Sequence, residues 1–124
     1  MDRVNPKLEM ERTPFFVPRK AQPFRPGTTP RVAVSSFSFG GNNFHAVLRG
    51  VGGSSDGRGK SLVAPRREGQ ALAMRRALED AGVEPDSVQY VECHATGTQV
   101  GDASEVRALA SVYTGAAAGS IALG

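Results

Sequence analysis

Cys93 and His94 stand side by side in the stretch YVECHATGTQVGD, residues 90–102, and Thr96, Gly97, Thr98 and Gly101 follow. A thiol next to an imidazole first suggests nucleophilic catalysis, with the imidazole as the activating base. The spacing argues against that reading. Neighbours on a strand point to opposite faces, so the two groups cannot easily share a proton. Cys93 reads better as a small buried apolar residue. His94 falls where a strand gives way to a loop, a common place for a functional side chain. Thr96 and Thr98 are two residues apart, so both hydroxyls can face one side, and Gly97 and Gly101 leave the backbone open to a ligand. A second candidate is Phe39–Gly40–Gly41. Two glycines after an aromatic allow positive φ and a close backbone approach. Either a plain tight turn or a set of amides for an oxyanion would use them. His45 reads as a half-buried strand residue. GGSSDGRGKS imitates a phosphate loop but fails on counting: the first Gly of that motif belongs at position 54, where Ser54 stands.

These residues need a scaffold. Six Pro in residues 1–30 forbid a long helix and a central strand there, so this segment must wrap over other structure. RVAVSSF predicts a buried strand over Arg31–Ser36, and FHAVLRGV a returning strand, a hairpin around the Gly-containing loop. Residues 50–65 are rich in Gly and Ser and read as a flexible connector. A helix follows from near Glu68, with Ala71, Met74, Leu78 and Ala81 as its apolar stripe. Arg75–Glu79 and Arg76–Asp80 have the spacing of helical ion pairs. Gly82 suits a left-handed cap, and Pro85 prevents resumption. A strand is expected from Ser87 to about Cys93. A second helix comes after the Thr/Gly loop, with Asp102 and Glu105 at capping-box spacing and Val106, Leu109, Ala110 and Tyr113 inside. Ser120–Leu123 is a short strand candidate. The order of elements is α/β in character.

The 124 residues suffice for one small domain. A single Cys excludes an internal disulfide and a Cys-based zinc cluster, and no metal is expected. No apolar run approaches a membrane span and no leader is evident, so a cytoplasmic protein without membrane association is expected. Residues 1–70 hold 12 of the 15 Lys and Arg but only 5 of the 12 Asp and Glu. Such a half attracts acidic partners, either nucleic acid or an acidic carrier protein. The low aromatic content, 6%, disfavours base stacking, so no nucleic acid is expected.

Several stretches together resemble one family. YVECHATGTQVGDASEVRAL resembles the active-site His loop of β-ketoacyl synthases, the thiolase-like condensing enzymes of polyketide and fatty acid biosynthesis. SSDGRGKSLVAPRREGQALAMRRALEDAGVEPDSV resembles the stretch before that loop in modular polyketide and polyunsaturated fatty acid synthases. NPKLEMERTPFFVPRKAQPF with RVAVSSFSFGGNNFHAVL resembles the carboxyl-terminal end of the same domain. The order is swapped relative to the family: residues 1–48 resemble the later piece, 49–65 form a Gly/Ser-rich junction, and 66–124 resemble the middle of the domain.

The resemblance implies a partial thiolase-like α/β fold, an incomplete layered sheet-and-helix domain. It implies that His94 matches a catalytic His that stabilises the enolate formed on malonyl decarboxylation. Thr96 and Thr98 match hydroxyls that bind the phosphopantetheine arm. Phe39 matches the gating aromatic whose amide helps form the oxyanion hole, and Gly40 and Gly41 shape that loop. Ser38 stands where the family usually has Gly, and Asn42 where it often has Thr. No separate cofactor is implied, because substrates arrive on the phosphopantetheine of acyl carrier protein or on coenzyme A. The implied partners are acyl carrier protein and the remainder of a ketosynthase or a homodimer partner. The family's nucleophilic Cys and second His have no counterpart in these residues. The expectation is therefore a 3-oxoacyl-[acyl-carrier-protein] synthase piece, inactive alone, whose sheet lacks most of its other strands and so has unpaired edges and exposed apolar faces. A non-catalytic carrier- or partner-binding module and a basic nucleic-acid binder are the alternatives.

Overall fold

A computed structural model describes residues 9–38, 42–47, 50–55 and 65–124. The chain forms strands β1 (Phe15–Phe16), β2 (Val32–Phe37), β3 (Asn42–Val47) and β4 (Gly50–Ser55). Helix α1 (Arg67–Ala81), strand β5 (Tyr90–Glu92), helix α2 (Gln99–Val112) and strand β6 (Ile121–Leu123) follow. All six strands join one sheet in the order β1-β6-β5-β2-β3-β4. β1, β6, β5 and β2 run parallel, and β3 and β4 continue antiparallel.

The expected hairpin is present as β2 and β3, with Ser35 opposite His45. Burial alternates along β2, as a strand with one covered face requires: Ala33, Ser35 and Phe37 are buried, while Val34 and Ser36 are exposed. The helix stripe also holds, with Ala71, Met74 and Leu78 inside the core. Gly82 ends α1 at φ 61°, where its N–H reaches the Glu79 and Leu78 carbonyls.

Three expectations are corrected. The connector expected over residues 50–65 is a paired edge strand over its first six residues. Its glycines serve contact rather than flexibility: a Cβ on Gly50 would meet the backbone of Ala77 and Ala81, and one on Gly52 that of Ala73 and Ala77. The small face of α1 thus lies directly on β4. The expected ion pair Arg76–Asp80 does not form. Arg76 donates to the Gly53 carbonyl at 2.7 Å, and Asp80 accepts the Val51 N–H at 3.0 Å. These contacts tie the helix to the edge strand, and no ion pair joins Arg75 to Glu79 either. The sheet was also expected to lack most of its other strands and so to have unpaired edges, yet six strands join it, with β2 and β5 paired inside it through Val32–Tyr90, Ala33–Val91 and Val34–Glu92.

Both helices pack on one face of the sheet, over a core that includes Met74, Val91, Leu109, Tyr113 and Ile121. The other face carries Val34, Phe44 and Val51, which are 46%, 56% and 65% exposed. The apolar exposure expected of this chain is concentrated there.

Candidate functional site

In an open α/β sheet, ligands bind beyond the carboxyl ends of parallel strands. Here β2 and β5 are adjacent and parallel, so Phe37, which ends β2, and His94, just after β5, come together. Their rings meet edge to face, 5.9 Å between centroids. Next to Phe37, Ser38 donates its N–H to the Asn42 carbonyl at 3.0 Å. The candidate oxyanion residues Phe39, Gly40 and Gly41 lie outside the described residues.

His94 is exposed, while Cys93 packs partly against the core. Burial pushes the Cys93 thiol up to about 12, with smaller contributions from Glu105, Glu92 and Asp102. Such a thiol is protonated at neutral pH and is a poor nucleophile.

The residue that shapes the loop is Glu105, which sequence reasoning placed in a capping box with Asp102. Its side chain is only 3% exposed and leaves α2 towards β5. One carboxyl oxygen accepts the His94 N–H at 2.8 Å and the other the Ala95 N–H at 3.1 Å. Ala95 has φ 45°, an unfavourable value for a residue with a Cβ. Two hydrogen bonds from a buried carboxyl hold that turn. Burial is the largest influence on Glu105 and raises its pKa; the two amides and His94 pull it down, and Asp102 adds to the rise. A signal was available in the sequence: a carboxylate at the second turn of an otherwise apolar helical stripe, between Ala103 and Val106, needs a partner when buried.

Asp102 does not cap α2 either. Thr98 is the N-cap, and its hydroxyl accepts the Gly101 N–H at 3.1 Å. The Thr96 and Thr98 hydroxyls lie 3.0 Å apart, so they do share one side. Asp102 instead accepts from the Thr96 hydroxyl at 3.2 Å and from the Gly97 N–H at 3.1 Å. With the Thr96 proton committed to Asp102, the Thr98 hydroxyl donates to Thr96, and the remaining acceptor capacity of Thr98 is what the pair offers outward. Gly101 sits beneath this pair: a Cβ there would run into both threonine hydroxyls. Its small size makes room for the threonines, while Gly97, at φ 73° with nothing near its Cβ direction, is the open glycine.

His45 is separate from this site. It is 1% exposed, with Nδ1 3.0 Å from the Ser35 hydroxyl and Nε2 3.2 Å from the Tyr113 hydroxyl. Burial lowers it to about 4, so it sits in the core as a neutral, doubly hydrogen-bonded group. Among the described residues no cluster of His, Cys, Asp or Glu could hold a metal ion. No helix there is long and apolar enough to cross a membrane.

A parallel strand, an exposed His just past its carboxyl end and a hydroxyl-bearing loop capping the next helix make up the candidate site. The family model described as "Beta-ketoacyl synthase, C-terminal domain" matches residues 45–124, well over half of the chain. The chain therefore belongs to the β-ketoacyl synthase family, and its mixed sheet with two helices is a partial thiolase-like fold. It is 46% identical over 72 residues to a 6-methylsalicylic acid synthase of Penicillium expansum, covering 58% of this chain and 4% of that protein. It is 51% identical over 77 residues to a highly reducing polyketide synthase of Stachybotrys chlorohalonatus, covering 58% and 3%. A hybrid PKS-NRPS synthetase of Aspergillus terreus is 42% identical over 73 residues, covering 59% and 11%. The matched region is thus a small part of long multidomain relatives. No solved structure gives a significant match.

Proposed function

We propose that this chain supplies one wall of a polyketide-type condensing site and does not complete the reaction alone. The geometry of the β5–α2 loop carries the reading. His94 is exposed, has its backbone fixed by Glu105, and stands beside the end of β2. In decarboxylative Claisen condensation, a malonyl thioester loses carbon dioxide to give an enolate. The enolate carbon attacks an acyl thioester, and the thiolate that held the acyl group leaves. His94 would donate a hydrogen bond to the developing enolate oxygen. Thr98 would accept an amide N–H of the pantetheine arm through its remaining lone pair, and Thr96 would orient it by accepting the Thr98 proton. Phe39, Gly40 and Gly41 would provide the oxyanion loop.

The acyl-carrying thiolate has to come from elsewhere in the synthase. Cys93 is protonated at neutral pH and packs partly against the core. Residues acting as a catalytic unit lose most of their effect when one is missing. Acyl carrier protein is the proposed partner, drawn by the basic amino-terminal half. The interleaving of β2 between β3 and β5 supports reading residues 1–48 as a displaced piece of the same domain, since both segments complete one sheet.

The test is a titration of the labelled chain with malonyl-pantetheine, alongside intact-mass analysis after incubation with acyl-coenzyme A. Amide shifts at His94–Thr98, reduced by His94→Ala, and no adduct on Cys93 are expected. Rapid stoichiometric acylation of Cys93, or shifts that miss this loop entirely, would overturn the proposal.

A further inference from the structure

Between the extended segment 16–25 and strands β5 and β6 lies a cavity of about 630 Å³. None of the residues of the His94 loop lines it. Three rings face it, Phe16, Phe24 and Tyr90, and so do three cations, Arg19, Lys20 and Arg25, with no Asp or Glu. The wall is braced. The Arg25 N–H donates to Gln89 Oε1 at 2.7 Å, and its guanidinium donates to the Asp86 carbonyl at 3.2 Å. Gln89 Nε2 in turn donates to the Thr28 hydroxyl at 2.9 Å. Gln89 is therefore spent on holding the segment. Arg19 and Lys20 have no ion-pair partner among the described residues. Ser120, also in the lining, has a buried hydroxyl oxygen with no hydrogen-bond partner among the described residues. A buried polar atom left unpaired is costly, and native structures usually pair it with something.

We propose that this cavity binds an organic anion with a planar apolar body. The one-signed lining attracts negative charge, and the aromatic rings offer faces and edges to a flat ring system. The volume lies within the range of roughly 300–1,000 Å³ usual for small-molecule sites. A bare inorganic ion would leave the rings uncovered. A neutral apolar molecule would leave Arg19, Lys20 and Ser120 unused. The site is independent of the condensing reading and survives its failure.

The experiment titrates the full labelled chain with naphthalene-2-sulfonate at low salt. Naphthalene-2-methanol serves as the neutral control and methanesulfonate as the anion without a ring. Saturable amide shifts at Phe24, Tyr90 and Ser120 are expected, with both controls binding several-fold more weakly. The double variant Arg19→Gln, Lys20→Gln should lose several-fold in affinity while keeping its spectrum elsewhere, because both side chains are exposed. Ser120→Ala should also weaken binding without unfolding the chain, and added salt should weaken it further. Equal binding of the neutral control, undiminished binding by the double variant, or shifts centred on Val34, Phe44 and Val51 would each overturn the proposal.

Discussion

Replacing Glu105 by Gln tests what holds His94 in place. The carboxyl accepts two backbone amides, at 2.8 and 3.1 Å, one on each oxygen. Gln offers one acceptor and turns an NH₂ towards the other amide, leaving a buried donor unsatisfied. That costs about 1–3 kcal/mol, and Ala95 at φ 45° loses part of what holds it. The pH dependence separates two opposing influences. Burial raises the folded pKa of Glu105 above its ordinary 4.5, so the folded state keeps the proton longer than the unfolded chain. The stability this confers is fully present below the unfolded value and is lost as pH rises through the folded one. Gln does not titrate. The penalty of Glu105→Gln should therefore be largest in acid and shrink as pH rises. Urea unfolding of both proteins from pH 4 to pH 8 gives the difference directly. Amide exchange at His94 and Ala95 should accelerate in the variant at every pH. A penalty that grows with pH would show that the amides outweigh burial, and unchanged exchange would refute the role of Glu105 in holding the loop.

His45 should respond to pH in the opposite direction. Its folded pKa of about 4 lies below its ordinary 6.5, so stability is full above 6.5 and falls by about 3 kcal/mol as pH drops to 4. The loss should be absent from His45→Gln and therefore persist in the wild-type-minus-variant difference; a difference curve flat with pH would reject the buried neutral imidazole. Gly52→Ala should cost about 3 kcal/mol, because its Cβ meets helix backbone that cannot swing aside. Gly53→Ala, whose Cβ would stand 3.3 Å from the Phe44 ring, should cost far less, and thermal melts of the pair decide whether α1 rests on β4. Cys93 should react with iodoacetamide about a thousandfold more slowly at neutral pH than an unperturbed cysteine, given its rise from 9.0 to about 12. A rate equal to that of glutathione would contradict its burial.

Much of this molecule was written locally. The α1 stripe, the Gly82 cap, the β2–β3 hairpin and the Ile121–Leu123 strand follow from short-range periodicity and turn chemistry, which adjacent residues specify by themselves. The shared side of Thr96 and Thr98 follows from their spacing. What remained hidden depends on partners distant in the chain. Gly50–Ser55 has the composition of a linker and becomes a strand because α1 needs bare backbone beneath its alanines. Arg76 and Asp80 have the spacing of an ion pair, yet each meets a better-placed backbone group on β4. Glu105 looks like part of a cap on its own helix. Its burial against β5 is decided by the packing of α2 on the sheet, and there the nearest unpaired donors are the amides of His94 and Ala95. Residue types and spacing set which groups can bond locally; only the tertiary packing sets which of them lose water and must therefore find a partner across the fold.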